Sequence, residues 1–152
     1  MASTINLAFR REVFDAAGGL DESFAAAEDL DFTWRLTDRG CRIRWVQDAV
    51  VKHDWGTQTR QVGRAFFYGG GWCRLIRKHP RRIGEVMKLN SVAFVYPLYL
   101  LGLPLTARWR WYPLMILWPV LCQRKVERPG LVLLDHLAVG AGVLYGLMRP
   151  GT

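Results

Sequence analysis

Charge is divided along this chain into three zones, and that division limits what the chain can fold into. Residues 1–59 hold 7 Lys/Arg and 10 Asp/Glu, residues 60–82 hold 7 and 0, and residues 83–152 hold 7 and 3. A basic segment followed by apolar sequence is typical of proteins held against an anionic membrane surface. We therefore expect a soluble portion over residues 1–59, a basic amphipathic collar over 60–88, and hydrophobic membrane segments over 89–148.

Within the hydrophobic tail, the uncharged run 89–107 is the best candidate for a membrane-spanning helix. A bilayer core requires roughly 17 to 25 residues of helix. The uncharged runs 111–122 and 137–148 are shorter, and prolines in the tail would bend any helix that contains them. We interpret these two runs as further spans or as re-entrant or interfacial segments, with membrane lipid as a partner.

The basic pI of about 9.9 would also permit nucleic-acid binding. The basic run, however, lacks the interleaved exposed aromatics and glycines of known RNA or DNA modules, and apolar stretches follow it directly. We predict no nucleic-acid partner. The three cysteines, Cys41, Cys73 and Cys122, are odd in number and widely spaced, which indicates neither a disulfide framework nor a zinc site and fits the cytoplasmic face of a membrane.

Local patterns in the first half predict mixed secondary structure. A short helix ends at the glycine pair 18–19, and a second helix runs from Glu28 to about Arg39. Residues 41–45 alternate apolar and basic side chains, as a half-buried strand does, and Val50-Val51 resembles a second strand. The glycine triplet 69–71 suggests a hinge in the basic stretch that follows.

Four motifs occur in order between residues 5 and 53: INLAFRREVF, GGLDESF, EDLDFTWRLTDRG and a strand pair ending in VVKH. Together they resemble family 2 glycosyltransferases over about the first 80 residues, and several ordered motifs are more specific than any single one. The resemblance implies an α/β fold: a partial GT-A-like domain, its second and acceptor-binding half, followed by membrane-associated helices. It also implies an inverting transfer of a sugar from a nucleotide sugar to an acceptor hydroxyl.

Inverting transfer needs a base beside the acceptor hydroxyl, because a neutral alcohol is a weak nucleophile. In the resembled family the base is the Asp of a Glu-Asp pair, which corresponds here to Glu28 and Asp29. The positive end of the helix dipole would hold both carboxylates ionised. The alternative is that these residues and Asp31 only cap and charge-match a helix. The ordered neighbouring motifs favour the catalytic interpretation.

Asp29-Leu30-Asp31 has the D-x-D spacing by which such enzymes hold the metal on a nucleotide diphosphate. Residues two apart on a helix point to different sides, so we predict instead that Asp31 pairs with Arg35 one turn later. His53 ends the strand pair, where the resembled family often places a histidine in the metal shell. The resemblance thus implies Mn²⁺ or Mg²⁺ in the intact enzyme, and an imidazole suits Mn²⁺ better. A strand-end histidine with a local hydrogen bond to Asp54 is the alternative.

Further positions match sites that line the acceptor or the sugar in the resembled family, although turns use the same residue types. These positions are Asn6, Asp21, Glu22, Gln61 and Arg64. The last two resemble the Q-x-x-R-W element of processive polysaccharide synthases, but Ala65 stands in place of the tryptophan. This departure argues against processive polymer synthesis. The basic residues of 60–82 are interpreted as an electrostatic collar for anionic lipid.

A donor site requires a Rossmann-like run of strands and a metal-binding D-x-D, which precede these motifs in the resembled family. Neither occurs in this sequence. We therefore expect a missing N-terminal donor-binding half as a partner, with a nucleotide sugar and a hydroxyl acceptor as ligands. The alternative is a non-catalytic membrane subunit or scaffold that retains an acceptor-side remnant.

Overall fold

The computed structural model describes residues 4–54, 56–121 and 128–149, and it consists of helices joined by loops. Short 3₁₀ turns occur at Thr4–Asn6, Pro80–Arg82 and Leu103–Ala107. The α-helices are α1 (Arg11–Ala17), α2 (Glu28–Asp38), α3 (Gln58–Lys78), α4 (Ile83–Leu89), α5 (Val92–Leu101), α6 (Tyr112–Leu121) and α7 (Pro129–Met148). Cys41 and Cys73 are free thiols, and Cys122 lies outside the described residues.

The α/β class and the partial GT-A-like fold expected from the sequence are wrong, because the described residues contain no strand. The two predicted strands lie in a segment, 41–54, that has no regular secondary structure. A strand forms only when its backbone N–H and C=O groups pair with a neighbouring strand, and the described part of the chain offers none. Trp45 and Val50 are instead 86% and 80% exposed.

Helices α1 and α2 agree with the sequence pattern. Gly18 and Gly19 have φ angles of 78° and 68°, so the glycine pair ends α1 in the left-handed region as predicted. The two helices pack through Ala17, Phe32 and Leu36, and partly buried aromatic and aliphatic side chains cover this cluster. The predicted helix from Glu28 to Arg39 is confirmed as α2 with its end at Asp38.

Helices α3 and α7 form the longest contact of the fold and run parallel. The glycine triplet 69–71, predicted to be a hinge, lies inside α3 without interrupting it. A side chain at Gly69 would collide with the backbone of Val139, and one at Gly142 would collide with the carbonyl of Phe66. The glycines therefore allow close approach of two helix backbones.

The uncharged run 89–107 is not one helix. It is split between the end of α4, helix α5 and a 3₁₀ turn, and α5 alone spans about 15 Å at 1.5 Å per residue. Helix α6 returns beside α5, where the hydroxyl of Tyr96 donates to the carbonyl of Ile116 at 3.0 Å. Among the described residues, α7 is the helix that is long and apolar enough to cross a membrane, by length and composition. The sequence pattern missed it because Asp135 interrupts the uncharged run.

Candidate functional site

The start of α2 carries the predicted Glu28-Asp29 pair on a strained backbone. Ala27, at the N-cap, is the one non-glycine among the described residues with positive φ, at 68°. Such a conformation costs an alanine about 1–3 kcal/mol, and strained residues cluster at functional sites. The carboxylate of Asp29 accepts the backbone N–H of Leu30 at 2.8 Å. The strained backbone of Ala27 therefore lies two residues before the Asp29 carboxylate.

An open groove of about 940 Å³ lies beside α2. Its walls are the segments 5–10 and 41–46 with part of 49–53, and Thr33 of α2 lies on it. Asn6 and His53 both line the groove, and the Asn6 amide donates to the carbonyl of Ala49 at 2.6 Å. The structure therefore brings two of the predicted site residues to one concave surface.

Asp29 stands one helical turn before the groove. Residues four apart on a helix share a face, and the hydroxyl of Thr33 donates to the carbonyl of Asp29 at 2.8 Å. Thr33 lines the groove. Asp29 therefore lies on the same side of α2, about 6 Å from Thr33 toward the N-terminus of the helix. Asp29 is half-buried.

Asp31, two residues on, is fully buried and belongs to a different environment. One oxygen accepts Arg35 Nε at 2.8 Å, which confirms the predicted pair. The other oxygen lies 2.8 Å from Lys78 Nζ and 2.9 Å from His79 Nε2. The Arg35 guanidinium also donates a hydrogen bond to the carbonyl of Gly19 at 2.6 Å. Asp31 therefore joins α2 to the end of α3 and to the loop after α1.

The cations around Asp31 outweigh the effect of its burial. Burial raises the pKa of a carboxyl group, but hydrogen bonds from Lys78, His79 and Arg35 hold the pKa of Asp31 below its ordinary 3.8. Hydrogen bonds from Lys78 and Ser23 likewise lower the pKa of Asp21. Both carboxylates therefore stay charged wherever the protein is folded near neutral pH.

We expect the protein to lose stability on acidification because of Asp31. A carboxyl whose pKa is lower in the folded state contributes stability above its unfolded pKa, 3.8, and loses it as the pH falls through the folded value. The midpoint temperature of thermal unfolding should therefore decrease as the pH is lowered below about 4. In Asp31→Asn this fall should be smaller, because the amide does not titrate. Identical midpoint profiles for the two proteins would exclude Asp31 as the cause.

Several cations of the predicted collar form hydrogen bonds or ion pairs within the protein. Arg77 donates to the carbonyls of Gly146 and Leu147 at 2.8 and 2.9 Å, at the end of α7. Arg82 pairs with Asp38 and lies 5.2 Å from the ring centroid of Trp34. These residues tie the end of α3 and the turn after it to α2 and α7. A lipid-binding role for the other collar residues stays a prediction.

The remaining predicted residues lie away from the groove. Asp21 pairs with Lys78 at 2.7 Å, and Glu22 is exposed on the same loop. Gln61 and Arg64 are on the first turns of α3, where Gln61 lines a separate cavity of about 320 Å³ beside α7. Lys78, which reaches Asp31, is 17 positions after Gln61, or about 25 Å along the helix axis. Gln61 is thus not part of one site with Asp29.

No three metal-binding side chains come together in the described residues. His53 lines the groove, but one imidazole does not hold Mn²⁺ or Mg²⁺ by itself, and such ions take several ligands. The described part of the chain therefore does not fit a complete metal site, and no chemical step through a metal is derived.

Sequence reasoning missed Lys78, His79 and Thr33. The available signal was the Arg-Lys-His run that ends the amphipathic stretch of α3. The partner of this run, Asp31, is 48 positions before His79, and local periodicity does not reveal contacts at such separation.

The chain is similar to glycosyltransferases over part of its length. It is 35% identical over 86 residues to the pre-mycofactocin glycosyltransferase of Mycobacterium tuberculosis, covering 56% of this chain and 18% of that protein. It is also 35% identical over 63 residues to the O-antigen chain rhamnosyltransferase WbaN of Salmonella anatum, covering 41% of this chain and 20% of that protein. The chain thus spans about a fifth of the length of the curated relatives it matches.

No protein-family model matches the chain. No solved structure matches it either. The relationship to glycosyltransferases therefore rests on these partial matches.

Proposed function

We propose that this chain is the acceptor-side portion of a membrane-associated, inverting, family 2-type glycosyltransferase, with Asp29 as the base. The observation that carries the proposal is the strained helix start that bears Asp29, one helical turn before Thr33 of the groove wall. The similarity to two glycosyltransferases supports the same class. The donor sugar, a nucleotide sugar, and the acceptor, a hydroxyl compound, belong to this proposal.

In this mechanism the acceptor hydroxyl approaches the Asp29 carboxylate from the groove. One oxygen of Asp29 is held by the N–H of Leu30, which leaves the other oxygen to accept the hydroxyl proton. The acceptor oxygen bonds to the anomeric carbon as the bond from that carbon to the diphosphate breaks, and the nucleoside diphosphate leaves. Glu28, next to it, keeps the site negative and favours a neutral or cationic acceptor group there. Asn6 and His53 on the groove walls would contact the bound sugars.

The groove is proposed to be completed by a donor-binding portion outside the described residues. Residues 42–54 are exposed, have no regular secondary structure and contribute to the groove walls, so this segment offers a surface to the donor-binding portion. The divalent cation would then take further ligands from that portion, with His53 as one ligand from this chain.

We predict that Asp29→Asn lowers sugar transfer roughly a hundredfold, the scale on which a general base contributes. The amide keeps an oxygen for the N–H of Leu30 but cannot take a proton. Transfer is measured in membranes from cells that produce the protein together with its donor-binding portion, with a set of labelled nucleotide sugars. Asp15→Asn, an exposed carboxylate on α1, serves as the matched control and should leave transfer unchanged. Undiminished transfer by a folded Asp29→Asn variant would remove Asp29 as the base.

A non-catalytic subunit is the second candidate, because the described residues hold no group of metal ligands. A subunit of this kind would keep the groove as a contact for another glycosyltransferase. Titration calorimetry of the chain alone with nucleotide sugars and Mn²⁺ distinguishes the two. Binding would count against the subunit, and its absence, together with equal transfer by wild type and Asp29→Asn, would favour it.

A further inference from the structure

The end of α5 and the turn that leads to α6 carry exposed large apolar side chains. Six of them are between 41% and 67% exposed, and we call them the tip surface: Leu98, Leu101, Leu103, Leu105, Trp109 and Trp111. Soluble proteins rarely leave contiguous apolar patches open to water, and those that occur usually mark an interaction site. The tip surface is therefore a candidate interaction site.

The charges around the tip surface fit an anionic bilayer. The sequence contains no Asp or Glu between Glu85 and Glu127, while Arg108 and Arg110 alternate with the two tryptophans of the tip. The Arg110 guanidinium lies 4.7 Å from the ring centroid of Trp111. Tryptophan and arginine are the side chains that settle at the lipid headgroup level, with the ring in the apolar boundary and the cation in the headgroups.

Further cations lie at the same end of the helix bundle. The start of α3 meets the start of α7 around Gln61 and Leu131, and Leu133 of α7 packs near the end of α5. Arg60 and Arg64, on the first turns of α3, therefore lie at the same end of the bundle as the tip surface. The α2 site lies at the other end, where Lys78 meets Asp31.

Helix α7 does not offer a simple span, although its length permits one. It is accompanied in parallel by α3, whose Arg64 and Arg74 are only about 15 Å apart along the axis. A bilayer core is about 30 Å thick, so a span through α7 would carry at least one of these arginines into hydrocarbon. Asp135 of α7 would enter with them. Charged side chains inside a bilayer are costly.

We propose that the protein docks on anionic bilayers through the tip surface, which enters one leaflet while α3 and α7 stay outside the hydrocarbon. The inference rests on the membrane association in the proposed function and specifies its surface, its lipid preference and its depth. It places Asp29, which is two residues before the Asp31–Lys78 contact, toward the opposite end of the bundle and away from the lipid.

Flotation with vesicles tests this docking. The full chain is synthesised without cells in the presence of vesicles of phosphatidylcholine alone or of phosphatidylcholine with phosphatidylglycerol. We expect it to float with the mixed vesicles, and to float less when the salt concentration is raised or phosphatidylglycerol is omitted. The substitution pair Arg108→Gln with Arg110→Gln should lower the partition coefficient for the mixed vesicles by about 25-fold, at about fivefold for each arginine near an anionic surface.

The pair Trp109→Ser with Trp111→Ser should lower flotation to a similar degree. Trp45→Ser is the matched control, since Trp45 is also exposed but lies on the 41–54 segment, and it should float like the wild type. Flotation of both tip variants at the wild-type level, independent of anionic lipid, would indicate a span through α7 and overturn the proposal. So would a failure to float with either vesicle. The assay involves no sugar transfer, so its outcome is independent of the Asp29→Asn result.

Discussion

Replacing Asp31 with alanine is expected to lower the free energy of unfolding by about 3 kcal/mol or more, because it removes one partner of a buried ion pair. The carboxylate is fully buried and accepts from Arg35, Lys78 and His79. Without it, these donors lose their shared acceptor, and the end of α3 loses its anchor on α2. The change is measured by urea unfolding in mild detergent, followed by far-UV circular dichroism.

Asp38→Ala is the matched control. Asp38 is also a helix α2 aspartate paired to an arginine, but its side chain is 52% exposed. Exposed pairs contribute about 0–1 kcal/mol, so the unfolding midpoint should move little. Equal midpoints for the Asp31 and Asp38 variants would show that burial of the Asp31 network adds nothing to stability.

The second large effect is expected at Gly69, where Gly69→Ala should destabilise the protein by about 1–3 kcal/mol or more, the usual cost of overpacking. A methyl group there would collide with the carbonyl of Val139 and crowd the backbone nitrogen of Val143. Neither atom can move without shifting α7 as a whole. The same urea series measures the loss.

Gly63→Ala provides the opposite result in the same helix. Nothing lies within 4 Å of a side chain added at Gly63, and alanine favours a helix over glycine by about 1 kcal/mol. This variant should therefore be more stable than the wild type. If both alanines stabilise α3, the close contact between α3 and α7 does not exist in solution.

Local sequence signals predicted local structure well in this protein. The glycine pair ended α1, the acidic residues began α2, and the spacing of Asp31 and Arg35 predicted their ion pair. Each of these depends on contacts within one or two helical turns, which periodicity and capping rules describe directly.

The predictions that failed concern residues whose packing or pairing partners are distant in the sequence. The alternation at 41–45 carries a strand preference, but a strand also needs a neighbour, and the described residues supply none. The glycine triplet suggested a hinge because its packing partners, such as Val139, lie about 70 positions away. Helix α7 was overlooked since Asp135 breaks the apolar run without breaking the helix.

The candidate site was predicted in part. The sequence motifs selected Asp29, Asn6 and His53, and the structure places the latter two on one groove with Asp29 a turn beyond it. The same motifs placed Asp21 with them, whereas it pairs with Lys78. An acidic residue in a turn does not reveal whether it faces a ligand or a lysine of the same chain.

The parallel packing of α3 against α7 also restricts which insertions and deletions the fold can tolerate. One residue added between Gly63 and Gly69 would rotate everything after it by about 100° around the helix axis. Gly69 would turn away from Val139, and Lys78 would swing away from Asp31. Length differences among related sequences should therefore fall in the segments 41–57 and 102–111, while the spacing from Gly69 to Lys78 stays constant.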